Sequence, residues 1–350
     1  MRVFFSSHHN HHYPKVFISK GQVVESPEKP RRADILEASA RAAGHNLIEA
    51  EKHGLKPVEA VHDKDYIYFL KNAWTDWERM PNSGGEVIPN IHPGRNMSAL
   101  PQSVISLSGH YQADTACPIG RGTWEGIQAS TDVAVSGALA IMQDTKNNIQ
   151  NSFAYSLCRP PGHHAYSDQA GGFCFFNNSA IAAQYCRDHG AKRVAILDID
   201  VHHGNGTQGI FYDRSDVMTV SLHGDPSSYY PFFAGYSDEL GIRKGKGFNF
   251  NYPMPKNTAD KAYLNTLKKA IDRISLYQPN VLIIALGLDA SIDDPLAFLS
   301  ITTEGFHKIG EIIGSSQLPT ILIQEGGYIS NVLGDNLAAV LKGFEQQRDT

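Results

Sequence analysis

Short apolar runs bounded by polar residues recur along this chain of 350 residues. Such runs are typical of strands that are buried on both faces of a parallel sheet. The pattern predicts five strands of this kind, at Phe153–Leu157, Val194–Leu197, Val217–Leu222, Val281–Leu286 and Thr320–Ile323. A shorter strand is expected near the beginning of the chain, at Val3–Phe5.

Amphipathic stretches lie between the predicted strands. Apolar residues recur at three- and four-residue spacing in Ser179–Asp188 and Ala259–Tyr277, and less regularly in Thr303–Ile313, which predicts helices. Alternation of strands and helices indicates a mostly parallel, multi-stranded sheet with helices on both faces. Because no linker-like stretch divides the chain, we expect a single α/β domain over residues 1–350.

Residues 76–121 differ from the rest of the chain. They are rich in Gly, Pro, Asn and Ser with little periodicity, so we expect an inserted loop. A loop of this length in a compact domain is usually functional or part of an interface. Its apolar residues require burial, and the surface of a partner is one option. They are Ile88, Ile91, Leu100, Val104, Ile105 and Leu107.

Charge and cysteine usage exclude several classes of function. The formal net charge of −5 gives no indication of a nucleic-acid surface. No apolar stretch is long enough to span a membrane and no secretory signal pattern follows Met1, so we expect neither a nucleic-acid nor a membrane partner. Four separated cysteines without a C-x-x-C pair are typical of reduced thiols in a cytoplasmic protein. They are Cys117, Cys158, Cys174 and Cys186.

Metal-capable side chains follow the predicted strand Val194–Leu197. Alternate residues of a strand share one face, so Asp198, Asp200 and His202 can project together from its end. Asp and His ligands that leave coordination positions open suit a hydrolytic metal ion. A junction whose acids cap a helix is the alternative, and it explains one Asp better than the whole Asp-x-Asp-x-His-His-Gly pattern.

Three further strand ends carry polar segments, namely Arg159-Pro-Pro-Gly-His-His164, Gly287-Leu-Asp289 and Glu325-Gly-Gly-Tyr328. Ligands of open α/β sheets bind outside the carboxyl ends of the strands. We therefore expect these segments to meet the Asp200 segment at one rim of the sheet.

Together with Gly171-Gly-Phe-Cys-Phe-Phe-Asn-Asn178, these segments resemble, in order and spacing, the zinc-dependent deacetylases of the arginase–deacetylase fold. The likeness runs from Met1 to the last predicted helix. Within that family the chain is most similar to bacterial acetylpolyamine amidohydrolases. The segments that indicate this are Ser156-Leu-Cys158 before the histidine motif, Ser221-Leu-His-Gly-Asp225, and the long insert before Gly122-Thr-Trp-Glu125.

The resemblance implies a zinc-dependent amidohydrolase that releases acetate from N-acetylated polyamines or related small acylated amines. A lysine deacetylase of the histone type is the alternative, and an inactive protein that binds acylated ligands is a third. In the similar amidohydrolases the region of the 76–121 insert pairs two subunits and walls each substrate tunnel. We therefore expect a homodimer with a narrow entrance.

The resemblance also implies the metal ligands. Asp200, His202 and Asp289 would bind Zn²⁺, and this oxygen-rich set also suits Fe²⁺ or Co²⁺. The family holds a structural K⁺ nearby through Asp198, Ser221 and the main-chain carbonyls of Asp200, His202 and Leu222. A second alkali site would use the carbonyls of Phe211, Arg214 and Val217.

Five catalytic roles follow from the same resemblance. His164 is expected to be the general base and acid, and His163 to give electrostatic support. Asp198 would orient His163, whereas Asn205 would orient His164 where many histone deacetylases carry Asp. A neutral partner should leave His164 less basic than a carboxylate would. Tyr328 would donate its hydroxyl to the developing oxyanion.

Substrate-binding positions match the family less completely. Gly172 belongs to the Gly171-Gly-Phe motif, and Phe173 and Tyr230 match two aromatic positions of the family's tunnel, although both could be core aromatics. The family usually has Phe at the position of Tyr230. Relatives carry acids near the tunnel mouth where this chain has Phe17, Ile105 and Ala116. Asp114 is either their substitute or a solvated loop aspartate.

Two other histidine features remain outside this pattern. The cluster His8-His-Asn-His-His12 suggests metal binding, but a solvated rim loop that binds metals adventitiously is the favoured interpretation. His223 is expected to cap a strand end without a catalytic role.

Overall fold

A parallel sheet with helices on both faces organises the computed structural model of the chain, which describes residues 1–100, 102–147, 149 and 152–348. The strands are β1 Arg2–Phe5, β2 Val16–Ser19, β3 Gln22–Glu25, β4 Asn46–Glu49, β5 Phe153–Ser156, β6 Val194–Asp198, β7 Val217–Gly224, β8 Asn249–Met254, β9 Val281–Leu286 and β10 Thr320–Gln324. The helices are α1 Arg31–Ala42, α2 Lys56–Glu59, α3 Lys64–Glu78, α4 Val104–Tyr111, α5 Thr123–Lys146, α6 Asn178–Asp188, α7 Asn205–Phe211, α8 Asp260–Tyr277, α9 Thr303–Gly314 and α10 Leu333–Gln346.

Eight strands form the main sheet in the order β4-β1-β5-β10-β9-β6-β7-β8, and every neighbouring pair in it is parallel. Strands β2 and β3 form a separate antiparallel hairpin. The predicted fold class, a mostly parallel α/β sheet, is therefore confirmed. The predicted strands of the sheet lie within two residues of the observed bounds, because both of their faces are apolar.

Both faces of the sheet are buried, and alternate residues of each strand point to different cores. In β6, Ala195 and Leu197 pack with α1, α8, α9 and α10, whereas Val194 and Ile196 pack with α5 and α6. Strand β9 divides in the same way. A strand with apolar residues on both faces is fixed in register, because a one-residue slip would exchange its two packing surfaces.

The inserted loop expected at residues 76–121 contains some helix. Helix α3 extends to Glu78, and helix α4 occupies 104–111 inside the insert. Val104 is buried, and Ile105 and Leu107 pack on a third apolar cluster shared with α3 and Phe175. The chain itself therefore buries Val104 and covers Ile105 and Leu107 in part, whereas Ile91 and Leu100 stay exposed. Position 101 lies outside the described residues.

The interpretation of His8–His12 as a solvated loop is wrong in part. Residues Ser7–His11 form a short 3₁₀ helix in which His9 is buried, and His12 directly after it is only 1% exposed. His12 Nδ1 lies 3.0 Å from the Thr123 hydroxyl, and burial lowers the pKa of His12 to about 3. Its neutral ring is thus part of the core, and the exposed pair His8 and His11 stack on each other.

No helix among the described residues is both long enough and apolar enough to cross a bilayer.

Candidate active site

The four predicted site segments follow strands that are consecutive in the sheet, β5, β10, β9 and β6. Because these strands are parallel, their carboxyl ends lie side by side at one edge. The histidine motif follows β5, the tyrosine segment follows β10, Asp289 follows β9 and Asp200 follows β6. Sheet topology thus gathers residues that are separated by well over a hundred positions in the sequence.

Asp200, His202 and Asp289 form a compact buried group whose ligand atoms all lie within 4.8 Å of one another. His202 Nδ1 is 3.1 Å from Asp200 Oδ1 and 3.2 Å from Asp289 Oδ2. Gly326 leaves the room that these carboxylates need, since a Cβ there would stand 2.1 Å from Asp289 Oδ2 and 2.5 Å from Asp200 Oδ2. Any larger residue at position 326 would displace the group.

This group fits a divalent metal ion. Asp289 Oδ2 is fully buried and makes no hydrogen bond of acceptable geometry among the described residues, although His202 Nδ1 lies 3.2 Å away, so it keeps a lone pair for an ion. Burial would lower the pKa of His202, but Asp200 and Asp289 raise it to about 9. The two carboxylates thus favour a positive charge between them. One imidazole and two carboxylates are a donor set suited to zinc with coordination positions left for water and substrate.

His163 and His164 lie next to this group, and each has a different partner. His163 Nδ1 donates to Asp198 Oδ2 at 2.9 Å, whereas His164 Nδ1 donates to Asn205 Oδ1 at 2.6 Å. The Asn205 amide is oriented by its own bond to the hydroxyl of Tyr166, at 3.2 Å. Both histidines therefore carry a proton on Nδ1, which leaves Nε2 of His164 free to accept one.

The partners also separate the pKa values of the two histidines. Burial would lower the pKa of His163, but Asp198 and then Asp200 raise it to about 10. Burial, His163 and His202 together hold the pKa of His164 well below its usual value. A cationic ring thus stands beside a neutral one, at a centroid distance of 4.0 Å. Two adjacent titratable groups with opposite shifts are typical of an acid–base site.

Tyr328 is buried at the same edge, only 3% exposed. Its backbone N–H donates to Asp294 Oδ2 at 2.7 Å, which fixes the main chain at this point. Its ring packs edge-on against Phe173, with centroids 5.8 Å apart. Phe173 itself has a left-handed backbone with φ +69°, a conformation that is uncommon for a bulky residue and that often marks a functional site.

Tyr230 packs against the second histidine of the histidine pair. Its ring stands edge-on to His164 with centroids 4.9 Å apart. Gly172 packs directly on His164, since a Cβ there would lie 2.4 Å from the ring, and its φ of +52° also requires glycine. Asp114 contacts both residues, since its Oδ2 accepts from the Tyr230 hydroxyl at 2.7 Å and from Gly172 N at 3.1 Å. The structure therefore brings Asp114 to the site.

The residues predicted for alkali ions lie along β6 and β7. Asp198 and Ser221 are paired in the register of these strands. His223, expected to cap a strand end, is the last residue but one of β7, and its ring bonds to the Ser221 hydroxyl and to Gly235 O, each at 2.8 Å. The carbonyls proposed for a second ion belong to the end of α7, the following turn and the start of β7, at Phe211, Arg214 and Val217.

A buried ionic network beneath Tyr328 has no counterpart among the predicted site residues. Arg32 donates from Nε to Gly327 O at 2.5 Å and from Nη2 to Glu325 O at 2.7 Å, and it lies 4.8 Å from the centre of the Tyr328 ring. Glu28 bridges Arg32 and Arg159 through its two oxygens, each at 2.8 Å. The four-residue spacing of Glu28 and Arg32 at a helix start was the only signal in the sequence.

Comparison with known proteins agrees with this geometry. The profile of the histone deacetylase domain matches residues 26–344. Acetylpolyamine amidohydrolase 2 of Pseudomonas aeruginosa is 41% identical over 347 residues, which cover 99% of each chain. The crystal structure of an acetylpolyamine aminohydrolase from Burkholderia pseudomallei superimposes with a TM-score of 0.93 at 40% identity, covering 98% of each chain. A histone deacetylase-like amidohydrolase of P. aeruginosa is 33% identical over 82% of this chain and 73% of its own.

The fold and its rim of histidines, acids and tyrosine define an amide-hydrolysing deacetylase, and the chain belongs to the histone deacetylase family. Its full-length likeness is to members named acetylpolyamine amidohydrolases.

Proposed function

We propose that this protein is a zinc-dependent deacetylase of N-acetylated polyamines or related small acylated amines. The observation that carries the proposal is the position of His164, whose Nδ1 is bonded to Asn205 and whose lowered pKa favours a neutral ring, beside the group of Asp200, His202 and Asp289. The ring centroids of His164 and His202 are 5.9 Å apart. Zinc bound to that group would polarise the amide carbonyl and acidify a water molecule. The protein's own side chains would transfer the protons and stabilise the developing negative charge.

His164 takes the proton of the attacking water on Nε2, because Asn205 already occupies its Nδ1. His163, held in its cationic form by Asp198, lowers the energy of negative charge that develops next to it. Tyr328 donates its hydroxyl to the carbonyl oxygen as that oxygen becomes anionic. The proton held by His164 then passes to the leaving amine, which releases acetate and a free amine.

A distal ammonium of the substrate requires an anion near the tunnel. The three positions where relatives carry acids are Phe17, Ile105 and Ala116 here. The ring of Phe17 contacts that of Phe173 with centroids 5.5 Å apart. Asp114 is the acid that accepts from the Tyr230 hydroxyl, and we propose that it takes over the role of the missing carboxylates. Full-length likeness to acetylpolyamine amidohydrolases supports this substrate class.

The absence of acids at those three positions also favours a second candidate, a lysine deacetylase that acts on proteins. A substrate panel separates the two functions. The zinc-loaded enzyme should hydrolyse acetylputrescine, acetylcadaverine or acetylspermidine with a higher kcat/KM than an acetyl-lysine peptide, and acetylated histone should be the poorest substrate. Preference for the peptide or the histone would instead favour the lysine deacetylase that acts on proteins.

We further propose a homodimer in which the 76–121 insert contacts the partner. Ile91, Met97 and Leu100 are more than half exposed in the single chain, which leaves apolar surface for such a contact. Light scattering should give twice the mass of the chain, and deletion of Pro81–Gln102 should lower this mass and widen the substrate range together. A monomeric wild type would contradict the dimer.

We also propose a structural potassium ion. K⁺ beside Asp198 and Ser221 would stabilise the loop that carries Asp200, so that replacement of K⁺ by a large organic cation should lower thermal stability.

The cysteines bear on the proposed cellular compartment. All four cysteines are free and buried, and burial raises the pKa of Cys174 and Cys158 well above the usual value. Unreactive free thiols are consistent with a cytoplasmic enzyme.

A further inference from the structure

Glu325 is a fully buried carboxylate that takes no part in the steps described so far. Its Oε2 accepts from two backbone groups, Gly162 N at 2.6 Å and His163 N at 3.0 Å. Its Oε1 accepts from the hydroxyl of Ser179 at 2.9 Å. Both oxygens are therefore held by donors, and the side chain has a single well-defined position.

Glu325 also stands where the segments with reacting groups meet. It directly follows β10, and Tyr328 lies three residues further along. The N–H of the next residue, Gly326, donates to Asp200 Oδ2 at 2.8 Å. At its other end the Glu325 side chain reaches the turn that carries both catalytic histidines. One side chain thus connects the tyrosine segment with the histidine turn.

We propose that Glu325 is a positioning residue, whose side chain fixes the backbone turn of His163 and His164 relative to the strand end that carries Tyr328. The inference rests on the proposed function, because the separation of proton acceptor and oxyanion donor matters only to a reaction that uses both. The backbone N–H groups of Gly162 and His163 require an acceptor oxygen at hydrogen-bonding distance. The length of the Glu325 side chain therefore decides whether the turn is held in place, and its charge is secondary.

Two substitutions separate the effect of the length of the Glu325 side chain from the effect of its charge. Glu325→Gln keeps the length, so its carbonyl oxygen can accept from Gly162 and His163 while its amide donates to the Ser179 oxygen. Glu325→Asp keeps the charge but is one methylene shorter, and it cannot reach the histidine turn unless the turn moves. A displacement of about 1 Å in a catalytic site costs roughly 10²-fold in rate.

The test compares kcat and KM for acetylputrescine among the zinc-loaded wild type and the Gln, Asp and Ala variants of Glu325. Glu325→Gln should retain kcat within about fivefold, whereas Glu325→Asp and Glu325→Ala should lose roughly 10- to 100-fold in kcat with little change in KM. Zinc content should stay that of the wild type. Ser179→Ala is the matched control, since it removes the third donor without touching the histidine turn, and its kcat should stay close to that of the wild type.

An Asp variant with the kcat of the wild type would overturn the proposal. A Gln variant as slow as the Asp variant would do so too, because charge would then be the property that counts. Loss of zinc from the Asp variant would place the effect at the metal ligands instead. If the Ala variant does not fold, the comparison of Gln with Asp still decides.

Crystal structures of the Gln and Asp variants give a readout that is independent of activity. The backbone of Gly162–His164 should superimpose on the wild type in the Gln variant and shift in the Asp variant. If the wild type failed to hydrolyse acetylated amines, the proposed function would be wrong, yet a shifted turn would still support the positioning role. An unmoved turn in the Asp variant would reject that role.

Discussion

The hydroxyl of Tyr230 donates a hydrogen bond to Asp114 Oδ2 at 2.7 Å, and this contact joins the Tyr230 segment to the insert. Asp114 Oδ1 in turn accepts from Ala116 N at 2.8 Å. The carboxylate is thus held by Tyr230 on one side and by its own loop on the other. A charge fixed in this way can attract a cation without the cost of ordering a mobile side chain.

Asp114→Asn should weaken the recognition of substrates that carry a distal ammonium. The single oxygen of Asn can still accept from Tyr230 and Gly172, although Ala116 N loses its acceptor, so these two bonds are kept while the charge is lost. We expect kcat/KM for acetylputrescine to fall by about 1 kcal/mol, or roughly fivefold, as for other partly exposed charge pairs. The uncharged analogue N-butylacetamide is the matched control and should be unaffected. Equal losses for both substrates would show that Asp114 acts on the shape of the tunnel alone.

Removal of any one ligand should abolish tight zinc binding. Asp200→Ala, His202→Ala and Asp289→Ala each reduce three protein ligands to two, too few for a catalytic zinc site. Metal content measured by plasma mass spectrometry should fall together with turnover. Asp293→Ala changes an exposed aspartate of the same loop and should keep both. A ligand variant with one zinc per chain and full activity would remove that residue from the site.

His164→Ala should lower kcat by roughly 10²–10⁴-fold, as expected for a lost general base. Because His164 is not among the ligand atoms of the metal group, zinc content should remain that of the wild type. His163→Ala should also slow the reaction at unchanged zinc. Near-normal kcat in the His164 variant would require another proton acceptor.

Tyr328→Phe should lower kcat by roughly 10²–10³-fold, the usual effect of a lost oxyanion donor. The ring contacts with Phe173 and Arg32 remain, so thermal stability should change little. The measurement is steady-state turnover alongside a thermal melt. An unchanged kcat would assign Tyr328 to packing.

Glu28→Gln should destabilise the fold by about 3–5 kcal/mol, because it leaves Arg32 and Arg159 buried without their counter-charge. Glu37→Gln, which breaks an exposed pair with Arg41, is the control and should cost less than about 1 kcal/mol. Urea unfolding followed by circular dichroism gives both values. Similar losses in the two variants would contradict the importance of the buried network.

The same variant has a defined pH dependence. Burial would raise the pKa of Glu28, but Arg159 and Arg32 hold it below its usual value of 4.5. A depressed pKa in the folded state contributes stability above the unfolded pKa and loses it as the pH falls through the folded pKa. The difference between wild type and Glu28→Gln should therefore be constant near neutral pH and shrink below about pH 4.5. A difference that grows in acid would contradict the depressed pKa.

Central strands were predictable because both of their faces are apolar, as in β9, where every residue is buried. Edge strands were missed for the opposite reason. In β4 no residue is fully buried, and β8 alternates polar and aromatic residues. Helix α4 was missed because its eight residues include two Ser and one Gly, which weaken the helical pattern.

Site residues were predictable where short motifs end a strand, as at Asp200 and His164. The roles of Glu28 and Arg32 were not, because their partners are distant in the sequence. Arg32 binds carbonyls that are 293 and 295 residues away. Likewise, the sequence placed Asp114 in a loop but gave no indication that its carboxylate meets Tyr230, 116 residues later.

The pairing of Arg32 with Glu325 and Gly327 sets an order of events during synthesis. A ribosome that has translated three hundred residues has exposed Arg32 and Glu28, yet the carbonyls that Arg32 binds do not exist until β10 has emerged. Contacts of such separation form late in folding. All three metal ligands are therefore synthesised before the tyrosine segment, but β10 must join β5 and β9 before the strand ends that carry the site lie side by side.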